Sequence, residues 1–296
     1  MSDIYWGILI MIAVSALFFW FAIIVSSRFP RKVADLFAVF TMVGLMLYIG
    51  LLWDKAEVSW FVPYSNAIIV GNWFPLITAV LSALVYHRIP GLKFRKLGMV
   101  FLLNLVGFYA LVQPVLGVTP ECHDERDYLN LARQTSQYTC SPTSAVNLLR
   151  IYEIGSSESE MAELCLTRSS RSWMGLQLDE GGTSWMGLYR GLKLKLVKRN
   201  LEPMFFSLSY ERFLEQYTGP LIISLKLEAS LEKKDPNRYQ ALLNAGWQPG
   251  VEHNVVFLDI RQGYALILDP KVGVEQMPIE DFQALWVGRG IYLEDG

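Results

Sequence analysis

The sequence predicts an N-terminal all-α transmembrane bundle of four helices, residues 1–120, followed by an α+β domain, residues 121–296. Composition is the first observation: 52% of the 296 residues are hydrophobic and 18% charged, against about 25% charged in soluble domains. The second is where the apolar excess sits. Residues 4–26, 36–53, 58–86 and 97–120 contain no Asp, Glu, Lys or Arg, and a helix crosses a bilayer with about 20 residues. The third is the order of periodicities behind them, helical first and alternating later, as in α+β domains.

The first apolar stretch has Asp3 and no basic residue ahead of it and is longer than a signal-peptide core, so it is expected to remain in the protein. In the third, Gly71-Asn72 and Pro75 predict a kink, or an interfacial piece before a short span. Arg28, Arg31 and Lys32 follow the first span, and His87, Arg88, Lys93, Arg95 and Lys96 lie between the third and fourth, whereas Asp54, Lys55 and Glu57 flank the middle connection. Basic loops stay in the cytoplasm. Both termini, and the whole α+β domain, are therefore expected on the extracytoplasmic side of the membrane. Asn66, Asn72, Asn104 and Gln113 are the polar residues in the spans, and interhelical hydrogen bonding is their ordinary use. Ionisable groups, which a transport path needs at that depth, are missing. The bundle reads as an anchor in the lipid bilayer, or as a dock for a membrane partner protein.

In the α+β domain, Cys140 stands before Ser141-Pro142, and Ala145, Leu148, Leu149 and Tyr152 follow at helical spacing. Proline belongs in a first helical turn. The cysteine is thus placed at a helix N-terminus, whose dipole favours the thiolate. Gly155 is expected to end this helix, and Ser157 with Glu160 forms a capping box for the next, which runs through Cys165. Gly181-Gly182-Thr183 opens a third helix across Trp185 to Tyr189, closed by Gly191, and Leu192, Leu194 and Leu196 alternate as in a strand. A connection at 203–207, a helix over 210–217 and a buried strand at 221–225 come next, and residues 226–250 read as a surface excursion of the kind that forms lids. Residues 253–260 and 264–268 form a hairpin. A three-residue turn, Arg261-Gln262-Gly263, would pair Ile260 with Tyr264 and put Asp269 opposite Val255, on the face of His253. A strand at 274–277, a helix over 278–286 and a strand at 289–293 complete the domain.

Cys140, His253 and Asp269 thus occur in the order nucleophile, base and orienting carboxylate, with Gln134 placed to donate its amide to an oxyanion. A free cysteine alone is as often a small buried apolar side chain, and a lone histidine at a strand start is more often structural. The chain has only three histidines, however, and His87 and His123 sit in a basic loop and near the membrane exit.

In these residues the chain resembles the bacteriocin-processing, double-glycine-leader cysteine peptidases, the domain at the front of peptidase-containing ABC exporters. The resemblance lies in Gln134 and Cys140, the helix from Pro142 to Tyr152, Gly182-Thr183, His253-Asn254-Val255-Val256, Asp269-Pro270 and Phe282 to Trp286. It implies a papain-like fold, a Cys140, His253, Asp269 triad with Gln134 in the oxyanion hole, and hydrolysis of a bond in a peptide or protein substrate, often after Gly-Gly. Ser141 stands where the family has glycine, and no nucleotide-binding Gly-x-x-x-x-Gly-Lys motif is present. Gly181-Gly182 is better explained as a helix-start turn than as a self-cleavage site. Of the three cysteines, Cys122 and Cys165 are expected to form a disulfide and leave Cys140 free, as suits an oxidising compartment. Two other readings use the same residues: transglutaminase-like acyl transfer, and an inactive peptidase-like domain that binds a transporter or leader peptide. Net charge of −2 without a basic patch on this domain argues against nucleic acid. No metal-ligand spacing occurs, so no metal or cofactor is expected.

Overall fold

The computed structural model describes every residue except Asp54, His87, Ile89, Pro90, Gly91, Met174, Gly175 and Glu180; the loop position expected for His87 and Asp54 lies outside the described residues. The chain divides into two units, Met1–Leu116 and Gly117–Gly296.

In the first unit, helices α1 (Ser2–Arg28), α2 (Arg31–Leu51), α3 (Ala67–Val70), α4 (Phe74–Tyr86) and α5 (Lys93–Val112) follow a mostly apolar sequence. Among the described residues, four segments are long and apolar enough to cross a membrane: Ser2–Arg28, Lys32–Leu51, Ala67–Tyr86 and Lys93–Val115. The outward faces of α1 and α2 carry Trp6, Trp20, Phe21, Phe40 and Met46. Such a surface suits lipid and not water. The third segment is interrupted between Val70 and Phe74, where the sequence predicts a kink, and Pro75 falls in the first turn of α4 and not in a helix interior. Side chains take up the freed backbone groups. The Tyr48 hydroxyl accepts the Trp73 N–H at 3.0 Å, Asn72 Oδ1 accepts the Phe74 N–H at 3.2 Å, and Asn72 Nδ2 donates to the Ala110 carbonyl at 2.8 Å. Asn104 donates to Ser82 Oγ at 2.9 Å. Of the amides in the spans, Asn72 and Asn104 are thus used for interhelical bonding.

The second unit opens with an irregular segment and three helices, α6 (Cys140–Ile151), α7 (Glu158–Leu164) and α8 (Trp185–Leu196), with a small β1–β2 ribbon (Arg171–Trp173, Leu176–Asp179) between the last two. Then come β3 (Leu201–Ser207), α9 (Tyr210–Gln216), β4 (Leu221–Lys226), α10 (Ser230–Lys234), α11 (Pro236–Asn244), β5 (Glu252–Arg261), β6 (Tyr264–Asp269), β7 (Gly273–Pro278), α12 (Ile279–Leu285) and β8 (Trp286–Asp295). The six long strands form one antiparallel sheet in the order β3-β8-β4-β5-β6-β7. Its aromatic core gathers Phe206, Phe213, Phe257 and Phe282 with Ile223, Val255 and Ile267. Leu148, Leu149, Met161, Leu188 and Leu192, all fully buried, pack the helical layer. Helix α6 lies on β5, and this contact brings the start of α6 to the strand that carries His253.

Four sequence expectations need correction. Helix α8 does not stop at Gly191 but runs to Leu196. Leu188, Leu192 and Leu196 are buried at four-residue spacing, which an alternating Leu-Lys run satisfies as well as a strand does. Gly191 is there for packing: a Cβ would stand 2.3 Å from the sulfur of Cys165. Residues 203–207 belong to strand β3, at the sheet edge, where Pro203 can do without an N–H. The predicted Cys122–Cys165 disulfide is absent and all three thiols are free. Cys165 is used in the α7–α8 contact, and the Cys122 thiol donates to the Pro120 carbonyl at 3.4 Å. Helix α6 ends through Glu153, which takes the left-handed conformation at φ 58° in place of the expected Gly155. Gly181 and Gly182 have φ of 72° and 99°, Gly182 exchanges two backbone hydrogen bonds with Arg168, and a Cβ on Gly181 would lie 2.5 Å from Ser170 N. The pair is built into the turn before α8.

The hairpin differs in a way that matters for the site. Arg261 pairs with Tyr264, so the turn has two residues, Gln262 and Gly263, both at positive φ, as a type I′ turn requires. Such a register would put His253 and Asp269 on opposite faces. A bulge between Phe257 and Asp259 shifts the pairing back by one residue, and Val256 then faces Leu268.

Candidate active site

Cys140 is the first residue of α6, preceded by Thr139 at the N-cap position, whose side chain makes no capping bond, and its backbone N–H has no intrahelical acceptor. Three residues reach it or its partners from the sheet. His253 Nε2 is 2.9 Å from Asp269 Oδ2, which leaves Nδ1 as the ring nitrogen available to the Cys140 thiol, whose ionisation the imidazole favours. Asp269 is buried and its second oxygen, Oδ1, accepts the N–H groups of Lys271 at 2.6 Å and Val272 at 3.2 Å. The backbone N–H of Asn254 also favours the ionised sulfur. Trp247, from the excursion between β4 and β5, packs edge-on against the imidazole at 5.9 Å between centroids.

The electrostatics follow from this geometry. Burial pushes the Cys140 thiol up, but the hydrogen bond and charge of His253, with the Asn254 N–H and Ser141 hydroxyl, outweigh it and hold the thiol below its ordinary value. Burial alone would likewise discharge His253. Its bonds to Asp269 and Cys140 and the negative charge of both raise it to about 10. Burial raises Asp269, yet His253 and the two backbone donors bring it below the usual carboxylate range. The arrangement favours a thiolate and an imidazolium side by side. By contrast, burial and the carboxylates of Glu158 and Asp124 push the Cys122 thiol up to about 11, and burial pushes Cys165 up to about 12. Of the three cysteines, Cys140 is the one whose thiol is held below its ordinary value.

Gln134 is tied to the same centre through its backbone, whose N–H donates to the Pro270 carbonyl at 2.9 Å, directly after Asp269. Its side-chain Nε2 donates to the Ser136 carbonyl at 3.2 Å. The other Nε2 hydrogen has no acceptor among the described residues.

Two features were missed at the sequence level. Glu158, fully buried at the start of α7, accepts the Thr135 N–H at 2.8 Å, the Thr135 hydroxyl at 2.6 Å and the Thr139 hydroxyl at 2.5 Å. It clamps the loop that carries Gln134 and Cys140. No local signal marks it, because its partners lie 19 and 23 positions away. Replacing Glu158 with Ala takes the acceptor from the half-buried Thr135 N–H and hydroxyl, while the Thr139 hydroxyl keeps the Ser136 carbonyl at 2.8 Å, and is expected to lower stability by about 2 kcal/mol. Thermal unfolding of the full chain in detergent checks this; Glu158→Gln, which keeps an acceptor, is expected to lose less. The second missed feature is the pair Ser141 and Asn254, bonded at 2.7 Å.

No protein-family model and no curated protein matches the chain. Among solved structures it is similar to the peptidase domain of Streptococcus ComA, a bi-functional ABC transporter involved in a quorum-sensing pathway. The identity there is 20% and the TM-score 0.40, covering 55% of this chain and 96% of that one. It is similar to a double glycine motif protease from an AMS/PCAT transporter in complex with the leader peptide, at 17% identity and TM-score 0.40 over 60% of this chain and 97% of that one. A C39-like peptidase from Bacillus anthracis matches at 17% identity and TM-score 0.38, covering 62% and 97% of the two chains.

Proposed function

We propose that the chain is a membrane-anchored cysteine peptidase that hydrolyses a peptide bond in a peptide or membrane-delivered protein on the extracytoplasmic side. The observation that carries this is the position of His253, whose Nε2 is 2.9 Å from Asp269 Oδ2 and whose imidazole lies beside Cys140 and holds its thiol down. That is the arrangement a thiol nucleophile needs. The Cys140 thiolate attacks the substrate carbonyl, and the developing oxyanion is met by the Gln134 amide and the Cys140 N–H. The His253 imidazolium passes its proton to the leaving amine, and the acyl group stays on sulfur. His253, now neutral, takes a proton from water as the water attacks the thioester, and the carboxylic acid leaves with the thiolate restored. Asp269 holds the ring in orientation throughout.

Anchoring is supported by the four apolar segments. The side of the membrane is inferred from the basic residues between the first and second and the third and fourth of them. The absent disulfide gives that inference no further support. Comparison of peptides released by cells carrying the parent chain and Cys140→Ala tests the activity: fragments that vanish in the variant are expected, and identical fragment sets would refute hydrolysis at this site. A reporter fused to the carboxyl end is expected to be active only outside the cytoplasm, and cytoplasmic activity would overturn the orientation.

A further inference from the structure

Ser141 follows the nucleophile and is almost fully buried, at 2% exposure, as is Asn254 at 7%. Asn254 Nδ2 donates to Ser141 Oγ at 2.7 Å. The backbone on either side of this contact is pinned, because Ser144 Oγ, one turn along α6, donates to the Asn254 carbonyl at 2.8 Å. A hydroxyl has one hydrogen and two lone pairs. With one lone pair taken by the Asn254 amide, the Ser141 hydrogen is free to turn elsewhere, and the Cys140 sulfur lies 3.9 Å from Ser141 Oγ. An ionised sulfur has no hydrogen of its own, so in that state the hydroxyl is the donor. A buried hydroxyl beside a half-buried negative charge has every reason to point at it.

We infer that Ser141, oriented by Asn254, is a positioning residue that donates a hydrogen bond to the Cys140 sulfur and holds the nucleophile in its ionised form. This rests on the thiolate reading given above and adds a donor to it. His253 alone could ionise the sulfur, but its proton must leave for the departing amine. Ser141 and the Asn254 N–H stay behind. The relay therefore supports the sulfur at the moment the imidazolium is spent, both as the acyl-enzyme forms and as the thiolate is released again. Asn254 has a double part: its backbone meets the sulfur directly and its side chain does so through Ser141.

The test is the pH dependence of Cys140 alkylation by iodoacetamide, measured on the full chain in detergent and read by mass spectrometry on the Cys140 peptide, so that Cys122 and Cys165 do not contribute. Ser141→Ala is expected to move the midpoint of the rate profile up by about one pH unit, a roughly tenfold loss of rate on its acidic side. Ser141→Thr, which keeps the hydroxyl, is expected to titrate with the parent. Asn254→Asp approaches the contact from its other end: a carboxylate claims the Ser141 hydrogen for itself, so the midpoint should again rise, and this variant serves if Ser141→Ala does not fold. A merely structural Ser141 would lower thermal stability without moving the midpoint. Midpoints of Ser141→Ala and Asn254→Asp equal to the parent's, while His253→Ala moves its own, would overturn the inference and leave the thiolate reading standing. A parent midpoint at the ordinary thiol value near about 8.5, indifferent to His253→Ala, would overturn both.

Discussion

Substituting His253 with alanine is expected to slow alkylation of Cys140 at pH 7 by about a hundredfold and peptide hydrolysis by about 10³-fold or more. The two figures differ for a physical reason. Alkylation needs only the thiolate. With the imidazolium gone, burial is no longer outweighed, and the thiol rises to or above the range of an ordinary free cysteine, where at most a few molecules in a hundred are ionised at pH 7. Hydrolysis also needs a proton for the departing amine and a base for the attacking water, and His253 supplies both. The neighbouring Asn254 N–H and Ser141 hydroxyl retain part of the effect on the sulfur, so alkylation should not fall to zero. Site-resolved alkylation and single-turnover cleavage by the same preparation check the split. Equal losses in the two assays would mean that His253 serves only to ionise the sulfur, and no loss in either would remove it from the chemistry.

Cys140 is legible from its neighbours alone, since Pro142 and the apolar spacing behind it fix a helix start. The pairing of His253 with Asp269 is legible only by good fortune. The two faces of a strand alternate residue by residue, and a three-residue turn was assumed where two residues turn the chain; the bulge before Asp259 restores the parity that the turn had reversed. Glycine at Gly263 fits both turns, so the sequence around it could not decide between them. What stayed hidden depends on contacts between distant positions. Glu158 looks like any acidic residue in a first helical turn until Thr135 and Thr139 are brought over it. The Ser141–Asn254 bond spans 113 positions. The disulfide failed because counting cysteines says nothing about where their side chains point, and Cys165 points into the α7–α8 contact. Helix α8 was misread because leucines two apart are also leucines four apart.

Asp269→Asn is expected to reduce hydrolysis about 10³-fold, a loss on the scale that a wrong imidazole tautomer produces in a triad. The reason lies in the loop after β6. The N–H groups of Lys271 and Val272 both point at Oδ1 of Asp269, and an asparagine in this place must turn its carbonyl oxygen toward them. Its NH₂ then faces Nε2 of His253, which has to act as an acceptor. The ring proton is driven to the nitrogen that faces the sulfur, where it cannot receive one from the thiol, and a doubly protonated ring would meet the NH₂ donor to donor. The pH dependence follows with a definite sign. In the parent, His253 is raised from 6.5 to about 10, so the charged pair with Asp269 contributes its full stabilisation below pH 6.5 and loses it as the pH rises through about 10. Asp269 is lowered below 3.8, so on the acid side the contribution fades only as the pH falls through that lowered value. The stability gap between parent and Asp269→Asn should therefore be widest between about pH 4 and 6.5 and close toward pH 10. The alkaline limb of the hydrolysis profile, where the imidazolium is lost, should move down in pH in the variant for the same cause. Chemical denaturation at a series of pH values measures the gap. A gap that is constant with pH, together with hydrolysis within threefold of the parent, would show that Asp269 holds the loop and has no part in setting the charge or tautomer of His253.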